Sequence, residues 1–230
     1  FINIFTPVFI KSIYQKYYWS KLDFKNTEVK NKNENESHYI KAEYIYKYIS
    51  NRSKNIKTIL EFGSSYGVNL EKFLINNDTL VTGIDVNHVV KKLEKDFSNY
   101  KGIISNQDFL NKFKPNSFDV AFTCSVLDHI PNEKNVINTI INLKRIAKSV
   151  YLFEPYIEGV CGDVTNYYRY QIEEKYKLKT KLVDNYKKFS TNYLWNYDKY
   201  LNDLGLNFSK ESFKLHRASV GPFYYAYYIK

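Results

Sequence analysis

The chain has 230 residues, enough for one domain with a full hydrophobic core. Its formal charge of +10 invites a nucleic-acid partner, yet only four of the 34 basic residues are arginines (Arg52, Arg145, Arg169, Arg217). Arginine is the type favoured for phosphate and base recognition, so the excess reads as solvated lysine surface and excludes a specific nucleic-acid interface. No apolar run approaches the ~20 residues of a membrane span.

The opening stretch, 1–10, is apolar but short, interrupted by Asn3, Thr6 and Pro7, and has no basic region before it. It does not read as a signal peptide. Methionine is absent and Phe stands first, from which a missing N-terminal piece is expected. Ile10, Ile13, Tyr14, Tyr17 and Tyr18 mark one helical face over 8–20. Residues 25–36 are polar and charged and predict a mobile loop. Ser37 is placed to cap a helix whose stripe is Ile40, Tyr44, Ile45, Tyr48 and Ile49. Residues 1–50 are read as a helical cap on a main domain over 51–230.

The stretch from Thr58 to Asn87 organises the rest. An apolar strand, Thr58–Phe62, runs into a small-residue turn from Gly63 to Gly67. Leu70, Phe73 and Leu74 follow at helical spacing, and a second strand, Leu80–Ile84, ends on Asp85. In such a β-α-β unit glycine lets a ligand approach the backbone, and the acid accepts hydrogen bonds from ribose hydroxyls. The unit therefore points to a nucleoside-bearing cofactor. The dinucleotide fingerprint Gly-x-Gly-x-x-Gly is not met, because Ser65 and Val68 replace its second and third glycines.

Val89, Val90, Leu93 and Phe97 mark a helical face over 88–98, and a third strand covers Gly102–Ser105 before Asn106-Gln107-Asp108-Phe109. A fourth strand begins at Phe118-Asp119 and leads to Ser125-Val126-Leu127-Asp128-His129-Ile130-Pro131. Asn132 caps and Glu133 favours a helix carrying Val136, Ile137, Ile140, Ile141 and Leu143. Val150–Phe153 is a fifth strand, followed by Glu154-Pro155-Tyr156 and a tyrosine-rich polar insertion over 157–194. Leu194, Tyr197, Leu201 and Leu204 form a last helical stripe stopped by Gly205, and two closing strands are expected at 208–217 and 223–229. Cys124 and Cys161 suit reduced thiols in a cytosolic setting and build no zinc spacing; no metal site is expected.

Glu61-x-Gly63-x-Ser65-x-Gly67 resembles the first motif of the class I S-adenosylmethionine (SAM)-dependent methyltransferases, acid-x-Gly-x-Gly-x-Gly, with Ser65 for the middle glycine. Asp85 and the Phe118-Asp119…Ser125-Val126-Leu127-x-His129-Ile130 segment resemble later motifs in the same order, and that agreement carries the reading. The resemblance covers 58–155 closely and the ends in outline. It implies an α/β, Rossmann-like, seven-stranded and mostly parallel sheet with a C-terminal antiparallel hairpin and helices on both faces. It further implies SAM as cofactor, with Glu61, Gly63, Ser64, Ser65 and Gly67 around the methionine part and Asp85 and Val86 at the ribose. Asp108 and Phe109 would hold the adenine, with Ser125 and Val126 beside the sulfonium. The base-methylating Asp/Asn-Pro-Pro-aromatic tetrad is missing at Thr123–Val126, so the expected acceptor is a small molecule, such as a sugar or other metabolite, accepting at O, N or C.

His129 is the first candidate base, since its unperturbed pKa near 6.5 suits proton transfer near neutrality. Glu154, Tyr156 and Tyr168 are its rivals. Two other classes stay open: an NAD(P)-dependent oxidoreductase, and a non-catalytic subunit of methyltransferase fold.

Overall fold

In a computed structural model, the structure describes residues 32–75, 78–156, 161–163, 193–213 and 223–230. The strands are β1 (Thr58–Phe62), β2 (Leu80–Asp85), β3 (Tyr100–Ile104), β4 (Phe118–Cys124), β5 (Ala147–Tyr156), β6 (Gly162–Asp163), β7 (Tyr193–Leu194), β8 (Phe208–Phe213) and β9 (Phe223–Ile229). The α-helices are α1 (Lys32–Arg52), α2 (Glu71–Leu74), α3 (Glu133–Ile146) and α4 (Tyr197–Asp203). One seven-stranded sheet has the order β3-β2-β1-β4-β5-β9-β8, and β6 pairs with β7 apart from it. The first five strands of that order run parallel, whereas β9 is antiparallel to both β5 and β8.

Strand alternation sorts the side chains onto two faces. Leu60, Ala121, Val150 and Leu152 pack under α3 and α4 with Val136, Ile140, Leu143 and Leu201. Ile59, Val120, Phe122, Tyr151 and Phe153 pack on the opposite face under Ile45, Tyr48 and Ile49 of α1 and Phe73 of α2. A period of two along each strand produces this division, and burial on both faces explains the near-continuous apolar runs. Glu61 therefore projects toward the α1 face, and Glu154 toward the α3–α4 face. Chain order reverses between β1 and β4, and the crevice at the carboxyl ends of strands at such a point is where open α/β sheets bind ligands.

Several expectations need correction. Ser37 is not a cap: α1 begins at Lys32, so part of the expected 25–36 loop is helical. Once the apolar stripe fixes a helix, each added residue gains a hydrogen bond without a new nucleus, and the helix extends outward. Ile40 is exposed, and Ala42 is buried instead. The helical face at 88–98 is a 3-10 run, His88–Lys95, capped by the Asn87 side chain, which accepts from Val89 N. Leu194 lies in β7, outside the last helix. Glu154 to Tyr156 continue β5 because β9 pairs with them (Glu154 with Tyr225, Tyr156 with Phe223). Of the expected strand 208–217, residues 208–213 are strand and the remainder falls outside the described residues. No helix among the described residues is long and apolar enough to cross a membrane.

Candidate functional site

The turn after β1 is built for close approach. Gly63 (φ 81), Ser65 (φ 46) and Gly67 (φ 76) all take left-handed backbone conformations. At Gly63 a Cβ would collide with the Val126 isopropyl group from the loop after β4, so only glycine lets the two loops meet. Ser65 tolerates the same region because its amide is anchored, donating to Asp85 Oδ2 at 2.8 Å. Asn87 N donates to Asp85 Oδ1, also at 2.8 Å. The carboxylate of β2 thus clamps the glycine turn and keeps lone pairs for a ligand. Burial raises its pKa, opposed by the amides of Asn87, Ser65 and Val86 and by the His129 imidazole.

Glu61 is fully buried in β1. Its Oε1 accepts from Asn69 Nδ2 at 2.7 Å, while Oε2 has no hydrogen-bond partner. Burial pushes its pKa up to about 8, against the Asn69 hydrogen bond and the Lys41 ammonium. Ser64 is buried beside it, and its hydroxyl also lacks a partner.

The loop after β4 is held from three directions. Ser125, in the left-handed region at φ 51, donates through its N–H to Phe153 O at 3.1 Å and through its hydroxyl to Tyr224 Oη at 3.2 Å. Val126 N donates to Glu154 Oε1 at 3.5 Å, and Trp195 Nε1 donates to Leu127 O at 3.0 Å. Glu154 is wholly buried; burial and then the neighbouring Asp128 carboxyl drive its pKa well above the carboxylate range. Asp128 Oδ1, Glu154 Oε2, Thr123 Oγ1 and Tyr197 Oη are buried without partners. His129 Nε2 lies 3.8 Å from Asp128 Oδ2, with about a fifth of its side chain exposed.

Asp108 and Phe109 lie on a 3-10 turn, Gln107–Lys112, after β3. Asp108 is exposed and accepts from Asn106 Nδ2 at 2.9 Å. Phe109 is half-buried, edge-on to Phe113, with Lys112 over its ring at 4.7 Å. Arg145 of α3 pins this segment by donating to Leu110 O and Phe113 O. The structure therefore brings Glu61, Gly63, Ser64, Ser65, Gly67, Asp85, Val86, Ser125, Val126 and His129 to one end of the sheet. Tyr156 stacks on Tyr225 within the β5–β9 pair, and Tyr168 lies outside the described residues. Sequence reasoning missed Lys41, Asp128, Trp195, Tyr197 and Tyr224. The signal for Lys41 was a cation four and seven residues before Ile45 and Tyr48, on the face a helix buries. Tyr224 depended on strand pairing that one chain's pattern does not reveal.

Residues 60–149 match the family model of a methyltransferase domain. No curated protein sequence matches the chain significantly. Among solved structures, it is similar to the 1,6-didemethyltoxoflavin N1-methyltransferase of Burkholderia thailandensis, crystallised with 1,6-didemethyltoxoflavin and S-adenosylhomocysteine. That likeness has a TM-score of 0.64 at 10% identity over 96% of this chain and 86% of that one. A plantazolicin methyltransferase, crystallised with S-adenosylhomocysteine and a triazolic desmethylPZN analog, gives 0.64 at 12% over 97% of each chain. A SAM-dependent methyltransferase of Archaeoglobus fulgidus gives 0.61 at 14% over 84% and 94%. The chain thus carries a methyltransferase-domain match over residues 60–149, which include the turn and loop just described, on a fold of the class I methyltransferase type.

Proposed function

We propose that the protein transfers a methyl group from SAM to an oxygen, nitrogen or carbon nucleophile of a small molecule, at the β1–β4 crevice. The observation that carries this reading is the clamped turn: Gly63 bare against Val126, with Asp85 holding the Ser65 and Asn87 amides. The residues fit the cofactor. The unpartnered Oε2 of Glu61 suits a cationic group, the Gly63 cradle admits a chain that a Cβ would exclude, and Asp85 retains acceptor capacity for ribose hydroxyls. Val86, Asp108 and Phe109 would border the ribose and adenine, and Ser64, Ser65, Gly67, Ser125 and Val126 the methionine and sulfonium.

When bound, SAM supplies a methyl carbon already activated by the sulfonium. The protein's task is then to align the nucleophile, an effect worth up to roughly 7–11 kcal/mol. His129 takes the proton of an acceptor hydroxyl or amine. Glu154, buried beneath the loop, holds Val126 and acts through position rather than by touching the acceptor. Residues 1–50 serve as a cap on the 51–230 domain, and 157–194 recognise the acceptor; most of that insertion lies outside the described residues. The two buried or lone thiols fit a cytoplasmic setting, and the lysine-rich surface carries no specific nucleic-acid site. Calorimetric titration tests the cofactor reading against an oxidoreductase: S-adenosylhomocysteine should bind and NADH should not. NADH binding with no S-adenosylhomocysteine binding would reverse the reading.

A further inference from the structure

Lys41 is half-buried on α1, one turn before the buried Ile45, and its ammonium lies 5.8 Å from the centroid of the Tyr224 ring. The Tyr224 hydroxyl accepts from Ser125 Oγ, which lies 4.0 Å from Cys124 Sγ. A lysine stem, a phenol and a serine hydroxyl thus converge on the carboxyl end of β4. His129 reaches the same end from the loop, and the Asp128 carboxyl feels both the imidazole and the Lys41 ammonium.

Burying a cation is costly unless an anion answers it. Beside Lys41 stand the Cys124 thiol, which shares a hydrogen bond with its ammonium, the Tyr224 phenol and the Glu61 carboxyl, with the Asp128 carboxyl also within electrostatic reach. Burial pushes the Cys124 thiol up to about 11 and the Glu61 carboxyl to about 8, and it raises the Tyr224 phenol as well.

We infer that Lys41, with the Tyr224 and Ser125 hydroxyls, seats the oxyanion of the methyl acceptor, and that the acceptor is an acidic hydroxyl of phenol or enol type. This rests on the methyltransferase reading and names its substrate class. The acceptor's O–H proton passes to the His129 imidazole, and the oxyanion forms against Lys41. The oxygen's electron pair then makes the new O–C bond as the S–C bond breaks, its electrons remaining on sulfur as a neutral thioether. His129 returns the proton to solvent.

The test uses the full chain saturated with S-adenosylhomocysteine, at a pH where 4-nitrophenol is ionised, and compares that probe with the near-isosteric neutral 4-nitroaniline. Wild type should favour the phenolate by about tenfold or more, the scale of a charge-assisted hydrogen bond. Lys41→Gln should abolish the preference and Lys41→Arg should retain it, with melting temperatures confirming folded protein. Affinity for S-adenosylhomocysteine should change little in either variant. No preference in wild type, or a preference that survives Lys41→Gln, overturns the inference. So does a loss confined to S-adenosylhomocysteine affinity, which would put Lys41 at the cofactor. Failure of wild type to bind S-adenosylhomocysteine at all shows in the first titration and defeats the methyltransferase reading itself.

Discussion

Asp85 Oδ2 accepts the Ser65 amide proton at 2.8 Å, so the carboxylate ending β2 holds the turn ending β1 in its left-handed conformation. Two strand ends are thereby locked into one surface, and the residue proposed to hold the ribose also shapes the loop beside it. Asp85→Ala should weaken S-adenosylhomocysteine binding about tenfold or more, since charge-assisted hydrogen bonds contribute ~1.5–3 kcal/mol. It should also lower the melting temperature, because two amides lose their acceptor. Calorimetry on folded Asp85→Ala that shows unchanged affinity would remove Asp85 from the site.

The contact between Gly63 and Val126 gives a second expectation. Gly63→Ala places a Cβ in the Val126 side chain and forces a non-glycine residue to φ 81, so it should cost about 1–3 kcal/mol in chemical denaturation. Adding Val126→Ala should recover part of that loss by clearing the collision and leave the backbone strain. A double variant no more stable than Gly63→Ala would mean that the loop after β4 does not rest on the turn.

Much of this architecture was legible. The order of five strands, Asp85 at the end of β2 and the Asn132 cap all follow from local pattern, because apolar period and capping act over a few residues. Asp119, part of the recognised Phe-Asp pair, sits at the other end of the sheet, where its carboxylate accepts from Lys57 N and Thr58 N and ties β4 to β1. The strand character of Glu154–Tyr156 was hidden, since it depends on β9, some seventy residues away. Tyr224 was missed for the same reason, and although the helical stripe marks Lys41, its encounter with Tyr224 was hidden too. Their meeting is set by how α1 and β9 dock on the sheet, and neither segment carries that information alone.

Glu61 makes stability depend on pH. Its pKa rises from the ordinary 4.5 to about 8 in the folded protein, so the folded state keeps its proton where the unfolded chain has lost it. The resulting stabilisation is full below about pH 4.5 and is lost as pH rises through 8. Glu61→Gln stays neutral and can keep the Asn69 hydrogen bond. Its stability relative to wild type should therefore grow between pH 5 and pH 8, by up to roughly 4 kcal/mol. Thermal melts at the two pH values read this directly, and a gap independent of pH would show that Glu61 ionises normally.

His129 should matter to turnover and little to folding. With a confirmed acceptor, His129→Ala should lower kcat about 10²–10⁴-fold, with S-adenosylhomocysteine affinity and melting temperature nearly unchanged. Full activity would show that no base is needed from this residue. A melting temperature that falls with activity would assign His129 to the loop's structure, beside Asp128.

The most direct measurement is transfer of labelled methyl. The full chain is incubated with SAM carrying a radioactive methyl group and a cell extract divided into small-molecule and macromolecular fractions, and label is counted in each. Label should enter the small-molecule fraction with equivalent formation of S-adenosylhomocysteine, and at sub-saturating SAM both should fall about tenfold or more in Asp85→Ala. Label confined to protein or nucleic acid, or S-adenosylhomocysteine never formed although the protein binds it, would contradict methyl transfer to a small molecule.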